Sequence, residues 1–170
     1  MPAVCVRPRD AGDEAFLFEL YSALRAAEFA PLAIPEPQKE QLIRMQYRAQ
    51  NGAYAAQYPE SDYQIVLCDD RRVGKIWIAR TAGEFRLVDI VLAPEARGSG
   101  IGTFLMRQLQ KEAESAGLPV RSTVSRFNPG SLRFHQRLGF RIVAEDEIQF
   151  RMEWLPAPDS DADDPGQDHG

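Results

Sequence analysis

The apolar positions of this chain change period several times, and each change marks an element. Val4-Cys5-Val6 reads as a short strand closed by Arg7-Pro8. Asp13 is placed to cap a helix over residues 14–28, where Phe16, Leu17, Leu20 and Leu24 recur at helical spacing. Pro31 and Pro35 then break the chain, and the loop 29–35 is apolar as well as Pro-rich. Residues 36–57 read as one helix, or two interrupted at Gly52, with Leu42, Met45 and Ala49 on a common stripe; Pro59 ends the region. Residues 63–68, 73–79 and 85–92 are strands joined by the polar turns Asp69-Asp70-Arg71-Arg72 and Thr81-Ala82-Gly83-Glu84, an antiparallel meander. A Gly-rich turn leads into a helix from Ile101 to Ala116, with Ile101, Leu105, Leu109 and Ala113 on one face and Gly117 as its stop. A strand over 120–124 follows. A helix then opens at Asn128-Pro129 and ends at Gly139, and strands over 140–144 and 148–154 close the pattern.

The order β-α-α-β-β-β-α-β-α-β-β is mixed α+β. Strands 85–92 and 120–124 flank a helix, so they are expected to be parallel neighbours through a right-handed crossover. The remaining pairings are expected to be antiparallel, in a central mixed sheet of about six to seven strands with about four helices.

The turn Arg97-Gly98-Ser99-Gly100-Ile101-Gly102 carries the first chemical signal. It joins a strand end to a helix N-terminus, where free N–H groups and the helix dipole favour an anion such as a phosphate or pyrophosphate. Arg97 adds a permanent charge in fork geometry. A nucleoside-triphosphate loop needs a lysine before its Ser or Thr, and Thr103 is preceded by Gly102. A dinucleotide fingerprint needs a third glycine where Thr103 stands, and an acidic residue about 20 positions on that strand 120–124 lacks.

A third possibility is an acyl-CoA loop. Arg97-x-x-Gly100-x-Gly102 resembles the Arg/Gln-x-x-Gly-x-Gly/Ala motif of the GNAT superfamily of N-acetyltransferases, and Val91-Leu92-Ala93-Pro94-Glu95-Ala96 resembles its lead-in. Asn128-Pro129-Gly130-Ser131, Phe134-His135 and Gly139-Phe140 resemble its second signature. The resemblance covers roughly residues 3–154 and the strand order above.

The resemblance implies a GNAT-like fold with a V-shaped splay in the sheet, and acetyl-CoA as cosubstrate. The backbone of Arg97, Gly98, Ser99, Gly100, Ile101, Gly102 and Thr103 would hold the CoA pyrophosphate. The bulged strand end Ile90-Val91-Leu92 would pair with the pantetheine arm, and N–H groups near Val91 and Leu92 would hold the oxyanion. The side chains of Ile90 and Leu92 are expected in the core. Asn128 matches the position whose amide reaches the pantetheine; its other role is the helix cap. His135 stands where the family most often has a Tyr acting as general acid near the CoA sulfur. Neutral imidazole is a poor acid. Either His135 is shifted upward and protonates the thiolate, or it packs there and the thiolate leaves unassisted. Asp89, the one carboxylate within strand 85–92, is the candidate general base; the alternative is an ion pair with Arg86 or Arg121, or a structural hydrogen bond. Glu84 and Asp62 are further candidates, acting through water. The acceptor pocket is expected between the loop 29–35, the second helical region and the strand edges; Tyr47, Tyr54, Tyr58 and Tyr63 fall there and either line that cleft or belong to the core, which the sequence leaves open. The reaction implied is direct acetyl transfer to a primary amine, on a small molecule, an antibiotic-like compound or a protein. Rival readings are a non-catalytic acyl-CoA sensor and a transferase for a longer acyl-CoA.

Composition narrows the partners. The net charge of −5 comes from five aspartates in residues 156–170; without them 20 acids face 20 bases. A neutral body argues against nucleic acid. No apolar run is long enough to span a membrane, and no signal peptide is recognisable, so no membrane association and a cytoplasmic location are expected. Cys5 and Cys68 are expected to be buried, reduced thiols, and the scattered His and Cys imply no metal. The expected organisation is one catalytic domain over 1–155, as a monomer or homodimer, and a disordered Pro/Asp/Gly-rich tail over 156–170.

Overall fold

The computed structural model describes residues 3–158. Most of the expected tail therefore lies outside the described residues. The strands are β1 (Val4–Pro8), β2 (Asp62–Cys68), β3 (Arg71–Arg80), β4 (Phe85–Leu92), β5 (Val120–Ser125), β6 (Arg141–Glu145) and β7 (Gln149–Trp154). The helices are α1 (Glu14–Phe29), α2 (Glu36–Gln57), α3 (Ile101–Ala116) and α4 (Pro129–Arg137). They form one seven-stranded sheet in the order β1-β2-β3-β4-β5-β7-β6. Every adjacent pair is antiparallel except β4 and β5, which are parallel.

The β4–β5 junction positions the site. It pairs only at Phe85–Val120, Arg86–Arg121 and Leu87–Ser122. Beyond that, Asp89–Leu92 stay on β3 and Thr123–Ser125 stay on β7, so the sheet splits into a V. The split begins at a bulge. Trp77 faces Asp89 and Ile78 faces Leu87, which leaves Val88 as the extra residue. A bulge increases twist and turns the strand away from its neighbour.

One face of the sheet is covered by α3. Ile101, Leu105, Met106, Leu109 and Ala113 are buried against Ile76, Ile78, Leu87, Val120 and Met152. Each such large side chain contributes about 1.5–3 kcal/mol on burial. On the other face, α1 and α2 place Leu17, Tyr21, Ile43 and Tyr47 over Ile65.

One open alternative is settled and three expectations about local structure are corrected. Helix α2 is continuous through Gly52, where an added Cβ would meet nothing. Its buried positions are Ile43 and Tyr47, with Tyr54 half-buried, while Leu42 and Met45 are exposed. The aromatic stripe outcompetes the aliphatic one because Tyr47 buries its ring between Phe18 and Tyr21. Asp13 stands at the N-cap position of α1, but its side chain makes no capping bond there. It is buried, takes a forked pair of 2.8 Å bonds from Arg7, and lies 3.3 Å from Arg72. Cys5 is exposed on the edge strand β1 rather than buried.

Candidate functional site

The Gly-rich turn has the backbone that glycine allows. Gly98 and Gly100 adopt φ of +74° and +86°, and Gly100 caps α3. The first intrahelical bond of α3 runs from Phe104 N–H to Gly100 O at 2.9 Å. The N–H groups of Ile101, Gly102 and Thr103 therefore precede the helical ladder and point out of its end. Arg97 is exposed, and its Nε donates to Leu92 O at 3.2 Å, which ties the loop to the end of β4. At Gly102 a Cβ would come within 3.3 Å of the Phe134 ring, so α4 abuts the first turn of α3. The loop thus stands at the mouth of the V.

Along β4 the side chains alternate across the sheet. Ile90 and Leu92 pack against the α3-side core, as expected of them. Val91 is buried on the other face with Leu20 and Ala93. Beyond Leu87, the backbone edge facing β5 has no strand partner.

Asn128 caps α4, its Oδ1 accepting the Ser131 N–H at 3.0 Å. The cap uses only the oxygen; the Nδ2 donors remain for a ligand.

His135 is buried and held at both nitrogens. Nδ1 lies 2.8 Å from the Ser131 carbonyl and Nε2 lies 3.2 Å from Ser122 Oγ. A carbonyl only accepts, so Nδ1 carries the proton and Nε2 accepts from the serine hydroxyl. The rings of Phe134 and Phe140 pack edge-on against the imidazole. Burial pushes its pKa down, against an opposing effect of the Ser131 bond. The upward shift that an acid role requires is absent: a dry, aromatic site disfavours imidazolium. Ser122 is the last β5 residue paired with β4, so His135 fastens α4 to the fork of the V.

Asp89 pairs with neither Arg86 nor Arg121. Its Oδ2 lies 2.9 Å from Nζ of Lys75, whose side chain is 3% exposed against 24% for Asp89. Burial presses the Lys75 ammonium down, but the Asp89 charge and Tyr63 outweigh it, and its pKa ends above the ordinary lysine value. Arg121 instead pairs with Glu84 and Glu153, and Arg86 with Glu84.

An aromatic group adjoins this pair. Trp77 lies 4.2 Å from Tyr63 between ring centroids, meets Tyr54 edge-on at 5.6 Å, and donates from Nε1 to Ser61 Oγ at 2.6 Å. A cavity of about 390 Å³ opens beside it, lined among others by Tyr47, Tyr58, Tyr63, Asn51 and Trp77, while Tyr54 is not part of the lining. The loop 29–35 is not part of its lining, and Phe29 is instead buried in the core under α1 and α2. Burial raises the pKa of Tyr54 and Tyr63 and pushes Tyr47 up to about 12. Among the described residues, no group of three or more His, Cys, Asp or Glu is placed to hold a metal, and no helix is long and apolar enough to cross a membrane.

The site is thus a mixed sheet split beside a Gly-rich helix start, and comparison with known proteins places the chain in a family. The chain belongs to the acetyltransferase (GNAT) family, whose profile matches residues 18–140. It is 32% identical over 102 residues to the mycothiol acetyltransferase of Nocardiopsis dassonvillei. That match takes in 59% of this chain and 27% of the relative, so the chain spans about a quarter of that protein's length. In fold it is similar to the PaiA N-acetyltransferase of Thermoplasma acidophilum, solved with coenzyme A, at TM-score 0.68 and 22% identity over 90% of this chain and 99% of the other. Ard1 of Thermoplasma volcanium gives 0.60 and 18%, over 92% of this chain and 99% of that one.

Proposed function

We propose that the chain transfers an acetyl group from acetyl-CoA to a primary amine. The observation that carries the reading is the V between β4 and β5, with the Gly-rich turn at its mouth. The coenzyme A in the Thermoplasma acidophilum structure of the same fold supports the choice of acyl donor. In this reading the N–H groups from Arg97 to Thr103 hold the pyrophosphate and Arg97 adds charge. The free edge of β4 over Ile90, Val91 and Leu92 pairs with the pantetheine, and the Asn128 amide donates to it.

The amine attacks the thioester carbonyl carbon; the carbonyl becomes an oxyanion held by β4 N–H groups near Val91 and Leu92. Collapse breaks the C–S bond and releases CoA as thiolate. A thiol pKa of roughly 8.5 lets it leave without an acid, in keeping with a neutral, fully bonded His135. Asp89 lies at the bulge on the α1–α2 face, with Oδ2 committed to Lys75. We assign its Oδ1 to receive the amine's proton, directly or through water.

A second reading, an acyl-CoA sensor without turnover, is favoured by the same His135 environment. The test is CoA release from acetyl-, succinyl- and longer acyl-CoA with a panel of amines, alongside acetyl-CoA affinity. Amine-dependent CoA release supports the transferase. Tight acetyl-CoA binding with no release on any amine overturns it in favour of the sensor.

A further inference from the structure

The charges of the chain are unevenly placed. Residues 96–111 and 115–144 hold no Asp or Glu, while residues 156–170 hold five Asp and no Lys or Arg. Over much of the surface each cation has its carboxylate: Arg9 meets Glu14, Arg44 meets Glu40, Arg80 meets Asp62 and Arg126 meets Glu145. On α3 and α4 the pattern changes. Arg107 and Lys111 on α3, and Arg133 and Arg137 on α4, are all exposed. None of the four has a carboxylate partner among the described residues; Glu112, next to Lys111, is turned to Arg80 instead.

These cations belong to one face. Buried Gln110 joins the two helices: its Nε2 donates to Leu138 O at 2.8 Å, and its Oε1 accepts from Arg107 at 3.0 Å. Arg107 therefore stands beside the end of α4 that carries Arg137. Toward the start of α4, the ring of Phe134 lies against Gly102, so the face runs on from Arg133 to the Gly-rich turn and Arg97. Like charges gathered without counter-charges repel one another, and an anion laid across them relieves that repulsion.

The chain carries its own anion to this place. Strand β7 ends at Trp154, and a Cβ on Gly139, just past Arg137, would come within 3.4 Å of the Trp154 ring. The acidic segment thus departs beside the end of α4. From Trp154 to Asp159 an extended chain covers about 16 Å, and the whole of α4 is about 14 Å long, so the aspartates are within reach of Arg137, Arg133 and Arg107. A segment of this composition has little apolar surface to bury, so charge is what it offers a partner. Exposed ion pairs are weak one at a time, but tethering sets an effective concentration of about millimolar, at which several are made together.

We propose that the aspartates of residues 159–168 dock on the basic α3–α4 face of their own chain and, from there, compete with the anionic end of acetyl-CoA for the neighbouring Gly-rich turn. The competition rests on the transferase reading; the docking does not, and it is tested first, without coenzyme. Amide proton–nitrogen spectra are compared for the full chain and for the full-length variant Asp159→Asn/Asp161→Asn/Asp163→Asn/Asp164→Asn/Asp168→Asn. At low salt the shifts outside the substituted segment fall in Arg107–Lys111 and Arg133–Gly139. In about 1 M NaCl, where the Debye length is about 3 Å, the two spectra converge at those amides. Arg133→Gln/Arg137→Gln moves the amides of residues 159–168 in the same direction as salt does. Amides on α3 and α4 that respond neither to the Asn variant nor to salt overturn the proposal, as do shifts confined to another face. Acetyl-CoA affinity is then measured in both chains at low salt. A tail docked about two-thirds of the time weakens the apparent affinity about threefold, so the Asn variant binds about threefold more tightly. Docking shifts with equal affinity in the two chains overturn the competition. Docking shifts in a chain that binds no acetyl-CoA would sink the transferase reading and the competition with it, while the docking stands.

Discussion

Removing Asp89 leaves the Lys75 ammonium buried without its charge partner, and the cost follows from the geometry. The pair spans 2.9 Å, and only 3% of the lysine side chain reaches solvent. Breaking a buried pair from one side costs about 3–5 kcal/mol. Because Asp89 is itself 24% exposed, water can partly replace it, and we place Asp89→Ala at the low end, about 3 kcal/mol. The assay is urea unfolding followed by far-ultraviolet circular dichroism. The companion variant Lys75→Met/Asp89→Leu exchanges the pair for apolar side chains and returns to within about 1 kcal/mol of the parent. The pH dependence has a definite sign. In the parent, Lys75 sits above its ordinary pKa, so its contribution is full below about 10.4 and is lost as pH rises through the folded value. In Asp89→Ala burial is opposed by Tyr63 alone, and the lysine pKa falls. The unfolded state then binds more protons, and stability rises with pH. The defect of Asp89→Ala is therefore smaller at pH 9 than at pH 7. A loss below about 0.5 kcal/mol, independent of pH, would refute the buried-pair reasoning. If the double variant folds but transfers acetyl at least tenfold more slowly, Asp89 acts in chemistry as well as in packing.

His135→Phe should leave kcat within about twofold at saturating acetyl-CoA, with no new inflection near pH 6–7, while lowering stability by about 1–2 kcal/mol because Ser122 Oγ loses its buried partner. A tenfold fall in kcat in steady-state thiol release would restore the acid role. Arg97→Ala should raise KM for acetyl-CoA about tenfold with kcat within threefold, as expected for a group that binds ground state and transition state alike; an unchanged KM would refute the loop assignment. Asp13→Asn should be less stable than the parent at pH 7. The Arg7 fork holds the Asp13 carboxyl far below the ordinary carboxylate range, so its contribution is present above about pH 4 and lost as pH falls through its folded pKa. The difference between the two proteins in thermal unfolding should therefore shrink toward pH 2, and a constant gap would contradict the assignment.

The sequence carried the elements because its punctuation is chemically strong. Gly100 and Gly117 bound α3 at positive φ, and Asn128-Pro129 starts α4. These are local signals, and local sequence determines them. The errors fall where a tertiary partner decides. The two stripes on α2 differ by a rotation of one residue, and only the position of Phe18 and Tyr21 selects Ile43 and Tyr47 for burial. Asp13 has the residue type of a cap, yet Arg7 and Arg72 take it up from two other strands. Among the candidate site residues, the left-handed glycines of the turn and the Asn128 cap are legible in the sequence. Lys75 was not singled out, although a lysine inside Val73-Gly74-Lys75-Ile76-Trp77 is as conspicuous as Asp89 inside its own strand. Reading those two apolar strands side by side would have suggested the pair. The Asn51 lining was hidden because a polar residue on a helix ordinarily reads as solvent-facing.

The central claim is that the V between β4 and β5 receives acetyl-CoA from the Gly-rich turn inward. A structure of the chain with acetyl-CoA bound tests it most directly. The account predicts the pyrophosphate on the N–H groups between Arg97 and Thr103, the pantetheine along the free edge of Ile90, Val91 and Leu92, and the thioester at the bulge beside Asp89. It also predicts that His135 keeps its bonds to Ser122 and Ser131. A cofactor bound elsewhere, or a β4–β5 ladder closed past Leu87 with the cofactor present, would contradict it.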